Sequence, residues 1–500
     1  MSVKKLASQT LWYGLSNILG RFLNYFLFLL LAYLYLPEEI AQVAQVYVIV
    51  PFLNILFTMG LETSYFRYSN QIEKQKLFNT LNSFLLLTTV GLTLILFLGA
   101  TPIVGLIEMT RHTSYYYWML LIVSLDTLTV LPFAKLRQEG RPKKFAMLKL
   151  ISIVINVGLV VFFLMACPYL IKQGYSLPTY LYDPSVGIGY YIIANLIATF
   201  ITLFLLFPEW KGFTFKIDKS LLKEIMTYSF PIIIVGFGGM INDFLSRVTY
   251  YKVLHDPIKQ LDHEFGVFTA NYRLAVLATL FIQVFKMGAE PFFFNQAKNK
   301  DAPETYARIT NIFVIICCYI FLCIAMNLDV LKLLIASKHK EYAEGIHIVP
   351  VLTMANIFIG IYYNLAIWYK LTNQTMKGAI ITLLGVVVTI VLNLILVPYF
   401  HYTGAAWATF FCYFFMMVVS LVWGQKYYPI PYAIKKLSFY LLLVIAMFVL
   451  YQGAFTYFNY HGLLLNSIVF LASIAIFSLV VLKYDKEEIR KFPFIGKYIH

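Results

Sequence analysis

The chain has 500 residues, of which 60% are hydrophobic and only 13% are charged, and its mean hydropathy is +0.75. Soluble globular proteins carry about twice this share of charged residues, so the composition excludes an ordinary soluble protein. The formal charge of +15 does not indicate a nucleic-acid partner, because the basic residues alternate with apolar runs along the whole chain.

Apolar runs of about 20 residues, the length that an α-helix needs to cross the hydrocarbon core of a membrane, recur from end to end. The first run is too long for a signal-peptide core and lacks a small-residue cleavage site, so we expect it to be retained. We predict an all-α polytopic membrane protein with about fourteen spans, near residues 11–36, 42–66, 79–101, 115–136, 146–168, 186–207, 226–251, 266–294, 307–328, 346–369, 378–399, 403–424, 437–457 and 462–482.

Lysine and arginine are distributed unequally between alternate loops. Of the 39 basic residues, 27 fall in one set of loops and the termini, seven in the opposite set, and five inside or at the edge of spans. Because cytoplasmic loops carry the excess of Lys and Arg, this pattern predicts that both termini are cytoplasmic. The opposite loops are short, and the longest, residues 168–185, is too small to fold as a domain.

The sequence that closes the second span recurs at the end of the eighth. MGLETSYFRYSN at residues 59–70 and MGAEPFFFNQAK at residues 287–298 share Met, Gly, Glu and Phe at one offset of 228 residues. A weaker echo joins Gly187, before the sixth span, to Gly404, before the twelfth. We therefore predict an internal repeat, with a six-helix lobe over residues 1–210, a second lobe over residues 211–425, and two extra helices with a tail over residues 426–500.

Ionisable side chains inside the spans are the main clue to function, because a charge in the membrane is costly unless it faces protein or water. Arg21 lies in the first span and shares one helix face with Asn17 and Asn24. Arg273 lies near the outer end of the eighth span. Neither arginine has a carboxylate within one helical turn.

Other charged residues come in pairs or stand alone. Asp243 with Arg247, and Lys286 with Glu290, are each four residues apart, so each pair can form along its own helix and fix packing. Asp126 stands near the middle of the fourth span without a partner nearby in the sequence. We regard Asp126 as a candidate for proton or cation coupling.

The alternative interpretation of these charges is a water-filled cavity between the two lobes. Four basic side chains against two carboxylates leave it a net charge of +2, and guanidinium groups bind phosphate or pyrophosphate in a bidentate manner. The predicted substrate-binding residues are Arg21, Arg247, Arg273 and Lys286, and the predicted polar or pairing residues of the cavity are Asn17, Asn24, Glu62, Asp243 and Glu290.

Motifs of enzymatic chemistry are missing from the sequence. It contains no G-x-x-x-x-G-K-[ST] phosphate loop, no H-E-x-x-H and no G-x-S-x-G. The histidines lack metal-ligand spacing, so we expect no metal. Because the enzymatic motifs are also missing, we expect no cofactor and a transporter instead of an enzyme. The cysteines are odd in number, form no C-x-x-C pair and are expected to be buried, unreactive thiols: Cys167, Cys317, Cys318, Cys323 and Cys412.

The chain resembles the multidrug/oligosaccharidyl-lipid/polysaccharide (MOP) exporter superfamily in its two six-span lobes plus two spans. The residues that carry the resemblance to its bacterial polysaccharide flippase branch, of O-antigen or capsule type, are Gly60-Leu61-Glu62 through Arg67, Asn242-Asp243 with Arg247, Tyr272-Arg273 and Glu290-Pro291. The resemblance covers nearly the whole chain. It implies a V-shaped pair of lobes that alternates access across the bacterial cytoplasmic membrane.

The same resemblance implies a substrate and partners. The substrate of the branch is an undecaprenyl-pyrophosphate-linked oligosaccharide, moved from the inner to the outer leaflet. By position, Arg21, Arg247 and Arg273 would hold the pyrophosphate. The implied partners are the lipid-linked glycan, membrane lipid, and the glycan polymerase and glycosyltransferases of the same pathway.

Three other functions stay open at this point. A lipid II flippase of peptidoglycan synthesis shares the span plan and the cationic cavity. A cation-coupled multidrug antiporter of the same superfamily is disfavoured because a cavity for cationic drugs should be rich in carboxylates. A membrane enzyme of glycan assembly is disfavoured by the short outer loops.

Overall fold

The computed structural model describes residues 19–20, 22–69, 71–106, 113–175, 180–297, 299–372, 374–457 and 462–490. Within these ranges it describes the helix backbone but not the side chains at residues 231–232, 234–248, 287–288, 290–291, 294–295, 463–464 and 487–490. The described residues form helices joined by short connections and contain no β-strand. The predicted all-α fold is confirmed.

The α-helices of the described residues, in chain order, are α1 (Phe22–Leu34), α2 (Pro37–Thr58), α3 (Leu61–Tyr68), α4 (Lys74–Leu98), α5 (Ala100–Leu106), α6 (Thr113–Gln138), α7 (Pro142–Val161), α8 (Cys167–Lys172), α9 (Tyr190–Leu206), α10 (Lys219–Val253), α11 (Ile258–Gln296), α12 (Ala302–Ala325), α13 (Leu328–Ile335), α14 (Ile348–Leu365), α15 (Ile367–Leu371), α16 (Thr375–Tyr427), α17 (Ile434–Tyr457) and α18 (Leu463–Arg490). One π-helical turn (Phe162–Ala166) joins α7 to α8, and short 3-10 turns precede or follow α9 and α14.

Eleven helical segments of the described chain are long and apolar enough to cross a membrane. One of them, α16, has 53 residues, and a straight helix of that length would run about 80 Å, far more than one bilayer core. His401 divides it into two spans with non-helical backbone angles. With these two halves counted separately, and with the shorter apolar helix α1 and the 35-residue α10 added, the described helices are consistent with the predicted fourteen spans.

One backbone feature recurs where the sixth and twelfth spans begin, although the counterpart of Gly187 is His401 and not the predicted Gly404. Gly187 has φ 51° and ψ −127°, and His401 has φ 49° and ψ −132°. Glycine adopts a positive φ of this kind without strain, whereas other residues rarely adopt it. Its recurrence at the start of both spans is therefore unlikely to be a chance feature of the backbone. The two halves of the chain therefore turn into these spans in the same way.

The Met59–Gly60 motif differs between its two copies. Both residues have left-handed φ values, 49° and 66°, which end α2 and restart the chain as α3. The break turns α3 so that Leu61 and Tyr65 are buried against α4 and α6. The second copy, at residues 287–288, continues as part of α11. Equivalent sequence thus gives a kink in one half and a continuous helix in the other.

The chain divides into two compact units, Met1–Thr269 and Ala270–His500, and the division falls inside α11. In the second unit, Tyr440 of α17 and Phe477 of α18 are fully buried in the same core cluster as Phe313 of α12. The two extra C-terminal helices therefore pack on the second unit. The lobe boundaries at residues 210 and 425 stay a prediction.

Candidate functional site

The structure describes the ten predicted site residues to different extents. Asn17 and Arg21 lie outside the described residues. Asp243 and Arg247 lie in α10 and Glu290 lies in α11, but their side chains are outside the described set. The side chains that the structure describes are Asn24, Glu62, Asp126, Arg273 and Lys286. The grouping of all four basic residues around one cavity therefore stays a prediction.

Two of the described side chains are exposed. Asn24 lies on the exposed face of α1, and Arg273 is exposed on α11. Since the surface of a membrane protein meets either lipid or water, a guanidinium group there needs an aqueous or protein environment. The position of Arg273 is compatible with the predicted aqueous cavity.

Glu62 is held by a basic residue of another helix. Its carboxylate lies 2.5 Å from a guanidinium nitrogen of Arg137, which α6 contributes, and both side chains are a little over two-fifths exposed. The Arg137 guanidinium also lies 4.8 Å from the ring centre of Phe66. The glutamate of the repeated motif therefore fixes α3 against α6, and its charge is balanced within the first unit.

Asp126 has two partners that local sequence spacing does not show. Its carboxyl is hydrogen-bonded to the Thr199 hydroxyl of α9 and interacts electrostatically with the Lys149 ammonium of α7. Lys149 also lies 4.3 Å from the ring centre of Phe133 and interacts with the more distant Glu62. Three helices of the first unit thus converge on one half-buried acid–base pair.

Lys286 lines a pocket in the second unit. Its ammonium lies 4.1 Å from the ring centre of Tyr363, in a cation–π contact. We define the lysine pocket as the small cavity whose polar lining residues are Lys286, Tyr363, Asn364 and Lys370. Its apolar lining includes Phe285 and Phe293. Sequence analysis identified Lys286 but missed Lys370, because the two lysines are 84 residues apart and meet only through the packing of α11 on α14 and α15.

The basic loop between α6 and α7 is organised around one buried carboxylate. Glu209, whose side chain is 4% exposed, lies 2.8 Å from Arg141 and 2.5 Å from Lys144. Lys135 donates to the Glu209 backbone carbonyl at 2.9 Å. Part of the positive charge on the predicted cytoplasmic side therefore serves to hold this loop against the end of α9.

Asp218 caps the start of α10. Its carboxylate accepts from the backbone amide of Leu221 and lies 2.7 Å from the Lys76 ammonium. The hydrogen bond from Lys76, followed by those of the cap, lowers the pKa of the Asp218 carboxyl. This pair ties the loop before α10 to α4 of the same unit.

One of the five cysteines differs from the prediction that all are buried. Cys167, Cys317, Cys318 and Cys412 are buried as predicted, but Cys323 is exposed. On α12, Cys317 and Cys318 lie on the helix face that packs in the core, and Cys323 faces away from it. Within the described residues, no group of three or more His, Cys, Asp or Glu side chains could hold a metal ion.

The fold is that of solved lipid flippases and drug transporters. The lipid II flippase MurJ, in an inward closed conformation, has a TM-score of 0.69 and 14% identity over 94% of this chain and 98% of its own. An inward-facing multidrug resistance MATE family transporter of the MOP superfamily has a TM-score of 0.64 and 14% identity over 85% of this chain and 94% of its own. A mutant of the Vibrio cholerae MATE transporter VcmN has a TM-score of 0.54 and 14% identity over 85% and 96%.

The sequence itself matches a family. No curated protein sequence matches the chain. The model of the family described as "Polysaccharide biosynthesis protein" matches residues 6–295, which is more than half of the chain. This match means that the chain belongs to the family described as "Polysaccharide biosynthesis protein".

Proposed function

We propose that the protein is a flippase that moves an undecaprenyl-pyrophosphate-linked oligosaccharide across the cytoplasmic membrane by alternating access. One observation carries the proposal: the chain belongs to a polysaccharide biosynthesis family and has the fold of transporters. Polysaccharides are assembled from lipid-linked units made on the cytoplasmic side, so a member with this fold suits the translocation step. The surface glycan would be of O-antigen or capsule type.

The basic residues of the spans suit a pyrophosphate. Arg21, Arg247 and Arg273, with Lys286, would bind the two phosphates, since guanidinium groups form paired, charge-assisted hydrogen bonds to phosphate oxygens. Asn17, Asn24, Asp243 and Glu290 would complete the polar surface around the sugar. The polyprenyl tail would stay in lipid while the head crosses.

Asp126 is the candidate for coupling this movement to an ion gradient. Its carboxyl is hydrogen-bonded to Thr199 and interacts with Lys149, so its protonation would release the Lys149 ammonium from its main electrostatic partner. Because these residues come from α6, α9 and α7, a change in their pairing would alter the packing of three helices. A proton gradient could act on the first unit in this way.

The second candidate function is lipid II translocation. The MurJ structure covers 94% of this chain, whereas the two MATE structures cover 85%. This higher coverage supports lipid II translocation as the second candidate. Deletion of the gene separates the two flippases: loss of the sole lipid II flippase should be lethal, and loss of a surface-glycan flippase should leave viable cells without that glycan.

The direct cellular test is surface glycan in arginine variants. Arg21→Ala and Arg247→Ala should each abolish the glycan at normal protein level in the membrane. Arg308→Ala, which removes an exposed arginine of α12 outside the predicted binding residues, is the matched control and should retain it. Wild-type glycan in both test variants would remove the proposed binding role of the arginines.

A further inference from the structure

We propose that His263 and Glu38 form an acid-stabilised latch, which holds the start of α2 against the start of α11 when the medium at that end is acidic. The predicted orientation places this end on the outer side of the membrane. The inference deepens the proposed function and rests on it in one respect, because a transporter with alternating access has to open and close at this side. The latch itself can be measured without transport.

The backbones of the two helices touch at this end. A Cβ atom on Gly266 of α11 would lie 1.9 Å from the carbonyl oxygen of Pro37, the first residue of α2, so any side chain there would clash. Both helix starts belong to the first compact unit, whereas the predicted repeat places α2 in the first lobe and α11 in the second. A contact between the predicted lobes at one end has to separate when access changes to that side.

A buried carboxylate ties three helices together beside this contact. Asp262 of α11 is 4% exposed and accepts hydrogen bonds from the Gln45 amide of α2, at 3.3 Å, and from the Tyr251 hydroxyl of α10, at 3.2 Å. The nearby Glu264 carboxylate accepts a hydrogen bond from the Tyr250 hydroxyl. Both carboxylates of α11 are thus supplied with donors by α10, and the contact is a packed junction.

Glu38 and His263 meet within this junction. The Nδ1 atom of His263 lies 3.3 Å from the Oε1 atom of Glu38, and each side chain is about a quarter exposed. The second carboxylate oxygen of Glu38, Oε2, is buried and has no hydrogen-bond partner among the described residues. A carboxylate with one oxygen shielded from water is costly unless a positive charge lies beside it. Protonation of His263 supplies that charge.

Glu39, the neighbouring carboxylate of α2, has a different role. It accepts a hydrogen bond from the backbone amide of Leu36, at 3.0 Å, and so caps the start of α2. Glu38 is therefore the carboxylate of this helix turn that holds α11. A substitution of Glu38 leaves the cap in place.

The other ionisable groups of the elements that meet here are mostly acidic. They are Tyr35 and Glu39 at the start of α2; Tyr182 and Asp183 before α9; Tyr250, Tyr251 and Lys252 at the end of α10; His255 and Asp256 in the α10–α11 connection; and Lys259, Asp262 and Glu264 of α11. With Glu38 they comprise six carboxylates and two ammonium groups, so a positive charge on His263 has a net negative surrounding. Since imidazole ordinarily titrates near about pH 6.5, the pair stabilises the contact in acid and loses this effect as the pH rises towards about 8.

The pH profile of thermal stability tests the charge of the pair. The purified full-length protein in detergent is compared with His263→Gln, and we expect their Tm difference to be largest near about pH 5.5 and to shrink towards about pH 8. His255→Gln, which changes the exposed histidine of the α10–α11 connection, is the matched control and should show no such trend. A Tm difference that does not vary with pH would mean an uncharged structural contact and would overturn the proposal, and so would an equal trend in His255→Gln.

The separation of the helix starts tests the latch directly. Spin labels are placed at Leu36→Cys and Ile258→Cys, both exposed positions, after the exposed native thiol is removed by Cys323→Ser. In the wild type we expect the ratio of close to separated label pairs to fall about fivefold from about pH 5.5 to about pH 8, the size of a partly exposed ion pair. His263→Gln and Glu38→Gln should each abolish this dependence, whereas His263→Lys, which stays charged, should keep the labels close at both pH values. A wild-type ratio that is equal at both pH values, or an unchanged dependence in His263→Gln, overturns the proposal.

Transport by the wild type in proteoliposomes keeps this test apart from the proposed function. If the wild type fails to translocate a lipid-linked oligosaccharide but His263→Gln abolishes the pH dependence of the label distance, the latch stands and the flippase function falls. If the wild type translocates and its label distance does not respond to pH, the function stands and the latch falls.

Discussion

The Asn311 side-chain amide donates to the buried carboxylate of Asp485 across 2.8 Å and so joins α12 to the last helix, α18. The same carboxylate accepts from the Lys436 ammonium and the Tyr440 hydroxyl, each at 2.5 Å. The Asp485 side chain is 1% exposed, so these donors replace water. One carboxylate thereby fixes α17 and α18 to the second unit at their predicted cytoplasmic ends.

Substitution of Asp485 should destabilise this junction. Asp485→Ala leaves the Lys436 ammonium and two other donors without their acceptor, which we expect to cost about 3 kcal/mol and to lower the Tm in detergent by several degrees. Lys436→Ala should show a smaller loss of the same sign. Lys435→Ala, which changes the exposed neighbouring lysine, is the control. A Tm of Asp485→Ala equal to that of the control would mean that the junction contributes nothing.

The shared backbone conformation of Gly187 and His401 gives a second prediction. A Cβ at residue 187 would meet no atom within 4 Å, but φ is +51° there. Gly187→Ala should therefore destabilise the protein by about 1 kcal/mol through backbone strain alone. Gly158→Ala, also in open space but inside regular helix α7, should stabilise it slightly. Equal thermal shifts for the two variants would show that the turn is unstrained.

The Asp218–Lys76 pair predicts a pH dependence. Because the pKa of Asp218 is lowered in the folded protein, its stabilising effect is complete above its unfolded pKa, about 4, and is lost as the pH falls through the lower folded value. The Tm difference between the wild type and Asp218→Asn should be constant from about pH 5 to pH 8 and shrink below about pH 4. A difference that grows on acidification would contradict the assigned sign.

The Asp126–Lys149 pair predicts that the effect of a substitution on ion coupling can be separated from its effect on stability. Asp126→Asn should abolish the response of transport to an imposed pH gradient, since the variant has no carboxyl to titrate at this position. The double variant Asp126→Asn with Lys149→Met removes both charges. It should regain the stability that Asp126→Asn loses, but not the response of transport to the pH gradient. Transport that follows the pH gradient normally in Asp126→Asn would exclude a coupling role.

Much of the fold could be predicted from apolar run lengths. The fourteen spans follow from runs of about 20 residues, and the repeat was visible in the matching segments near Met59 and Met287. The kink at Met59 could not be predicted, because the same Met–Gly pair continues as helix in α11. What differs is the packing: the kink buries Leu61 and Tyr65 of α3.

Partners across helices were the part of the site that the sequence did not show. Spacing of four residues suggests pairs within one helix, but Asp126 meets Lys149 and Thr199 from two other helices. Lys370 reaches the pocket of Lys286 for the same reason. A single sequence contains no signal for such contacts, because they depend on the order in which helices pack.

Translocation by the purified protein is the most direct test of the central claim. Proteoliposomes that carry an undecaprenyl-pyrophosphate-linked oligosaccharide in both leaflets are treated with a lectin or glycosidase added outside. The account predicts that the protected inner pool becomes accessible in vesicles with the wild-type protein and stays protected with the variant Arg21→Ala plus Arg247→Ala. Continued protection in wild-type vesicles, or equal loss of protection with that variant, would contradict it.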